Sequence, residues 1–180
     1  MPPVDGQPNV PRRPESVPKA AREDRAAALD WLDLEAGRLG VPILSADAML
    51  DLLRGARRIA IVGASRDPWR PSHDVLRTLV GAGYEVLPVN PDAAEIAGLP
   101  CHATLRAAAD AASGPIDIVD VFRRREACPG HAREAVAIGA RCLWLQLGLV
   151  SREAGRIATE GGLAVVMDRC TAIEVARLGR

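Results

Sequence analysis

A chain of 180 residues has room for one domain with a core of ordinary size and a tail. Its 23 basic and 23 acidic side chains cancel, which excludes a general pull toward nucleic acid or an anionic membrane surface. Phosphate recognition would fall to local arginines, since Lys19 is the only lysine. Hydrophobic residues make up 48% of the chain and aromatics 3%, so the interior is expected to be aliphatic, and no apolar run approaches the length of a membrane span. Four cysteines, Cys101, Cys128, Cys142 and Cys170, are widely spaced with no CxxC pair, and no signal peptide is recognisable. A reduced, cytoplasmic setting is the expectation.

Residues 1–19 are rich in proline, at Pro2, Pro3, Pro8, Pro11, Pro14 and Pro18, and predict a disordered tail. From 20 to 44 the pattern changes to a helical extension. Ala28, Leu29, Trp31, Leu32, Leu34 and Leu39 among charges suggest an amphipathic helix over 20–39. It either covers an exposed sheet edge or docks on a partner chain or a second copy. The main domain, 45–180, opens with a helix over 45–53 that Ser45 caps.

Ile59, Ala60, Ile61 and Val62 then form an apolar run suited to a strand buried on both faces, broken at Gly63. A helix over 72–81 follows, with Ser72 as its expected N-cap. Strand, glycine turn and helix open many nucleotide-binding α/β domains, because backbone N–H groups there can hold phosphate oxygens; packing alone is the alternative. The second and third glycines of G-x-G-x-x-G are absent, and the second strand, 85–89, ends in Asn90-Pro91 rather than in the acid that would bind an NAD ribose. The alternation continues with a short helix about 104–112, strand 116–121, helix 126–138, strand 142–147, helix 151–160, strand 163–167 and a last helix about 171–178. This predicts an α/β fold of three layers, a five-stranded parallel sheet between helices. Right-handed crossovers suggest the order 3-2-1-4-5, with a cleft at the carboxyl ends of strands 1 and 4.

The pieces IVGAS (61–65), GYEVLPVNP (83–91), IDIVDVFRRR (116–125), GARCLWLQLGLVS (139–151) and GLAVVMDRC (162–170) stand in this order at domain-sized spacing. The series resembles the small stand-alone CoA-binding protein family, whose domain is similar to the N-terminal CoA-binding domain of the succinyl-CoA synthetase alpha subunit. The likeness covers about 48–177. It implies a Rossmann-like domain that binds coenzyme A or an acyl-CoA non-covalently, without chemistry of its own.

On that resemblance the candidate residues fall at the carboxyl ends of the strands. Gly63, Ala64 and Ser65 let backbone approach a pyrophosphate, with the Ser65 hydroxyl as a donor. Arg70 is either a clamp on the 3′-phosphate or pyrophosphate or a solvated loop arginine, as is Arg66, and Ser72 either caps a helix or touches phosphate as well. Val89, Asn90 and Pro91 would line the adenine and ribose side, or form a plain turn. Val121, Phe122 and Arg123 end the third strand, where Phe122, the only phenylalanine, packs either on adenine or in the core, and Arg123 meets a phosphate. Trp144 and Gln146 share a face, one walling the cleft and the other reaching into it, with Gln146 toward the pantetheine amides. Asp168 and Arg169 pair with each other or with backbone, and Cys170 is either merely buried at a helix start or the thiol placed to meet that of CoA.

No catalytic residue and no metal are expected. His73, His102 and His131 lack triad neighbours, and the pairs Cys101-His102 and Cys128-x-x-His131 carry zinc-ligand types but fall on separate connections. The histidine-bearing domain of the succinyl type of synthetase is not recognised in this sequence. Two other readings stand beside a CoA-binding module: an accessory subunit of an ADP-forming acyl-CoA synthetase, and an NAD(P)-binding protein like an oxidoreductase. A structural protein with a vestigial site is a third.

Overall fold

The computed structural model describes residues 24–179. The predicted tail, 1–19, and the first residues of the predicted extension lie outside them. The chain divides into two units, 1–40 and 41–180. In the first, helix α1 (Arg25–Glu35) starts where Asp24 Oδ1 accepts the N–H groups of Ala26 and Ala27 at 2.8 and 3.2 Å, and the chain turns away at Gly37, φ +67°.

In the second unit Ser45 caps α2 (Ala46–Gly55) as expected, its Oγ accepting the Ala48 N–H at 3.3 Å. There follow β1 (Arg58–Val62), α3 (Pro71–Gly81), β2 (Glu85–Val89), a hairpin of β3 (Glu95–Ile96) and β4 (Leu99–Pro100), and α4 (Leu105–Ala111). The chain continues with β5 (Ile118–Val121), a 3₁₀ turn at Arg125–Ala127, α5 (Cys128–Ala137), β6 (Cys142–Leu145), α6 (Arg152–Glu160), β7 (Ala164–Val166) and α7 (Thr171–Ala176). The five long strands pair parallel in one sheet, so the expected three-layer αβα fold is the fold observed.

The strand order is β2-β1-β5-β6-β7, which corrects the expected order. The third long strand, β5, lies beside β1 and not outside β2. Proline explains why. Pro88 has no N–H for a ladder partner, and its carbonyl points outward to accept the His102 N–H at 2.9 Å, so β2 is suited to an edge. The point where the strand order reverses therefore lies between β1 and β5 rather than between strands 1 and 4, and ligand crevices in such sheets open there.

Alternation along β1, β5 and β6 sends Ile59, Ile61, Ile118, Cys142 and Trp144 into a core shared with Met49, Leu53, Leu76 and Val175 of α2, α3 and α7. Ala60, Val119, Val121, Leu143 and Leu145, on the other face, are equally buried beneath α4, α5 and α6. The β3–β4 hairpin has no counterpart among the expected elements. Its two loop residues are Ala97 and Gly98, at φ +52° and +79°, and an alanine is an unusual occupant of the first such position. Ser72 does not cap α3. Pro71 occupies the first helical position, Arg70 is the N-cap residue without a side-chain cap, and Ser72 is buried in the first turn.

Candidate functional site

The turn after β1 is held by its neighbours on both sides. Gly63 adopts φ +87°, and a Cβ there would stand 2.7 Å from the Phe122 carbonyl oxygen and 3.1 Å from Arg123 Cδ, so both conformation and space require glycine. Its N–H donates to Val89 O at 2.9 Å, which assigns that donor to the sheet and not to a ligand. Ser65 Oγ accepts the Asp67 N–H at 3.1 Å, and Asp67 Oδ1 accepts that of Trp69 at 3.0 Å, two local turns that shape the loop. His73 Nδ1 lies 2.9 Å from Ser65 O, so a hydrogen bond there puts a proton on Nδ1.

Asn90, at the end of β2, ties this loop down from the other side. Its Nδ2 donates to Ala64 O at 2.8 Å and its Oδ1 accepts the Asp92 N–H at 2.9 Å. These contacts surround one edge of a cleft of about 630 Å³ at the carboxyl ends of the strands. Gly63, Ala64, Ser65 and Asn90 form that edge, and the start of α3 contributes Arg70, Pro71, Ser72 and Val75. At this helix start the Arg70 N–H donates to Asp67 O at 3.0 Å and that of His73 to Arg70 O at 2.9 Å, and Pro71 has none, which leaves the Ser72 N–H of the first turn for an anion. The exposed Arg70 guanidinium stands 3.9 Å from Asp67, a loose pairing that leaves it able to swing onto a phosphate.

Across the switch point, half-buried Phe122 and exposed Arg123 line the cleft, and Gln146 contributes from the end of β6. Beyond it the wall turns apolar with Leu147, Leu149 and Ile173, and Cys170 lies among them. Arg66, exposed on the loop after β1, and three further expected positions are not in this lining. Val89 and Val121 are buried in the ladder, and Pro91 is exposed on the turn beyond β2.

Trp144 does not wall the cleft. It is wholly buried, with Nε1 donating to Arg169 O at 2.7 Å, which anchors the turn between β7 and α7. Asp168, at φ +53°, accepts the Gly148 N–H at 2.9 Å, the backbone alternative of those expected. Arg169 stands 3.8 Å from the buried Glu174.

Beneath Gln146 lies a residue the sequence reading missed. Asp120 is fully buried in β5, and its carboxylate accepts from Gln146 Nε2 and from Thr171 Oγ1. Burial pushes its pKa up to about 7 against the opposing effect of those two donors. A carboxylate inside the apolar run IDIVDV was the signal available. Asp117, at the opposite end of the sheet, differs: burial opposes ionisation there too, but the N–H groups of Arg57 and Arg58 and the Arg141 guanidinium hold it below the usual range.

The zinc-type pairs are engaged elsewhere. Cys101 Sγ approaches Asn90 O at 3.6 Å, Cys128 Sγ approaches Arg124 O at 3.6 Å, and His131 pairs with Glu134 at 2.7 Å. Among the described residues no helix is long and apolar enough to cross a membrane.

Comparison with known proteins bears on this cleft. Residues 57–176 match the family model described as a CoA binding domain. The uncharacterized protein YneT of Bacillus subtilis is 43% identical over 120 residues, covering 67% of this chain and 86% of that one. The solved structure of cell-free ID.343 from Thermus thermophilus is 38% identical with a TM-score of 0.68, over 75% of this chain and 99% of that one. The dinucleotide forming acetyl-coenzyme A synthetase 1 of Ca. Korarchaeum cryptofilum is 25% identical with a TM-score of 0.55, over 66% of this chain and 28% of the synthetase. With the motifs, the fold and the family match in agreement over most of its length, the chain belongs to the CoA binding domain family.

Proposed function

We propose that the cleft binds coenzyme A or an acyl-CoA non-covalently and that the chain is a binding module without catalysis of its own. The observation that carries this is the division of the cleft. Its β2–β1–α3 side is polar, with Ser65, Arg70, Ser72 and Asn90 around a helix start, and its β6–α7 side is apolar, with Leu147, Leu149 and Ile173. Strands about 4.8 Å apart put the β2 and β7 ends roughly 19 Å from each other. A ligand charged at one end and carrying a long, weakly polar arm fits that span, as CoA does with its nucleotide and pantetheine. A second nucleotide in place of the arm would meet apolar wall.

In this arrangement Arg70 and Arg123 hold phosphates, Phe122 packs on the adenosine or the arm, and the Gln146 amide meets a pantetheine amide. Gly63 makes the turn that brings the main chain to the pyrophosphate. Titration calorimetry at constant salt with CoA, dephospho-CoA, NAD and ATP tests the reading. CoA binding more tightly than the other three is the expected result; preference for NAD, or no heat with any of them, overturns it.

The likeness to part of a synthetase supports one other reading, an accessory chain that presents CoA to a partner carrying the remaining domains. ATP-dependent acyl-CoA formation, appearing only when such a partner chain is added, distinguishes it from a self-sufficient carrier. The cytoplasm follows as the proposed location. A homodimer or partner docking through helix α1 is a separate expectation that sedimentation with and without CoA measures.

A further inference from the structure

The floor of the cleft is a closed set of three polar side chains. Gln146 Nε2 lies 2.9 Å from both Asp120 oxygens and 2.7 Å from Thr171 Oγ1, and Thr171 Oγ1 lies 2.8 Å from Asp120 Oδ2. Asp120 and Thr171 are wholly buried and Gln146 is 4% exposed. With Asp120 ionised, two amide hydrogens and one hydroxyl hydrogen are the donors available, and all three point inward: one N–H to the carboxylate, one to the hydroxyl, and the O–H to the carboxylate.

This chemistry fixes which way the amide faces. Turned over, Gln146 would set its carbonyl oxygen against the Asp120 oxygens and leave two buried acceptors facing each other. Among the described residues the Gln146 side-chain oxygen accepts no hydrogen bond, and no buried polar side-chain atom is both sealed from solvent and without a partner. Gln146 lines the cleft. Its Oε1 is therefore the atom left for whatever lies there.

We propose that Asp120 and Thr171 are positioning residues that hold Gln146 with its carbonyl oxygen toward the ligand, so that the floor of the site accepts a ligand N–H and offers none of its own. The inference rests on the CoA reading, in which that N–H belongs to a pantetheine amide. It assigns the discrimination at this point to the acidic residue, which never touches ligand. The ionised aspartate has acceptors alone and meets Nε2, whereas an asparagine has an N–H of its own that draws the glutamine oxygen inward.

The test, run at about pH 8 so that Asp120 is ionised, compares CoA with adenosine 3′,5′-bisphosphate, which keeps the nucleotide and lacks the arm. The variants are Gln146→Leu, Thr171→Val, Asp120→Asn and the exchange Asp120→Asn with Gln146→Glu. Expected is a loss of roughly five- to tenfold in CoA affinity for Gln146→Leu, and a smaller loss for Thr171→Val and Asp120→Asn, with bisphosphate affinity unchanged throughout. The exchange should restore CoA binding, because the asparagine N–H then holds the glutamate and leaves its other oxygen facing the cleft. CoA affinity unchanged in the single variants, equal losses on both ligands, or an exchange that restores nothing would overturn the positioning role. Wild-type protein that binds neither ligand would instead overturn the CoA reading itself.

Discussion

Titration between about pH 4 and pH 8, in the wild-type protein and an Asp120→Asn variant, isolates the energetics of one buried carboxyl. Burial raises the Asp120 pKa from 3.8 to about 7, even though Thr171 and Gln146 donate hydrogen bonds that favour the charge. Below about pH 4 both folded and unfolded chains carry the proton. Between that point and about pH 7 the unfolded chain has released it and the folded protein retains it, so stability falls as pH rises, by about 1.4 kcal/mol per unit. Three units give a loss of roughly 4 kcal/mol, complete once pH has passed through the folded value. The Cys142 thiol, raised to about 12 chiefly by burial and further by Asp120, stays neutral across the range. Glu85 is held below its ordinary value, first by the Ser113 hydroxyl and then by the Ser113 N–H, and Asp117 is also held low, so both act in the opposite sense at lower pH and are common to the two proteins. The assay is urea unfolding at steps of pH, read as the difference between wild type and variant, in which the fixed cost of the substitution drops out. A difference that stays within about 1 kcal/mol from pH 4 to pH 8 would refute the argument that burial outweighs the two donors.

Four further outcomes follow from the same geometry. Gly63→Ala places a methyl 2.7 Å from Phe122 O at φ +87°, and should lower the unfolding free energy by roughly 1–3 kcal/mol while weakening CoA binding; unfolding curves that superimpose on wild type would contradict it. Arg70→Ala and Arg123→Ala, both at exposed side chains, should each weaken CoA binding by about 1.5–3 kcal/mol in calorimetry with little change in thermal midpoint, and unaltered affinity in both removes the arginines from the site. Trp144→Phe removes the donor to Arg169 O and should cost roughly 1–3 kcal/mol in denaturant unfolding, without the selective loss of CoA affinity expected of Gln146→Leu. Alkylation at about pH 8 should modify Cys170 first and more slowly with CoA present, since it lines the cleft, while burial raises Cys128 to about 11 and Cys142 to about 12; early labelling of Cys142, seen by mass spectrometry, would speak against the packing.

The positions and types of the main elements were legible because each carries its own period or cap. The apolar runs of β1 and β5 and the Ser45 cap of α2 are local properties of a few adjacent residues. The order of the strands is not local. Right-handed crossovers allow β5 on either side of the β1–β2 pair, and the residue that decides, Pro88, was read only as part of a strand. The small hairpin was missed for a related reason. Ala97 takes a conformation for which Asn or Gly is the usual signal, so its turn carries no mark in the sequence.

The site divides along the same line. Glycine at 63 and arginine at 70 announce themselves through backbone freedom and charge at a strand end, and both line the cleft. What Gln146 does depends on partners 26 and 25 residues away, Asp120 and Thr171, which meet it only because β5 and β6 are neighbours and α7 returns over them. Asp117 and Asp120 stand three residues apart in one apolar segment, and their fates differ by position along the strand. The first, at the amino end, meets the main-chain N–H groups of Arg57 and Arg58 and ionises more readily; the second, at the carboxyl end, meets a side-chain amide and a hydroxyl and ionises less readily. The carboxyl end is where ligands bind in such sheets. A buried acid there, fully partnered and aimed at the side-chain amide of the cleft floor, has a use that the acid at the other end does not. It sets the direction of an amide rather than stabilising the sheet.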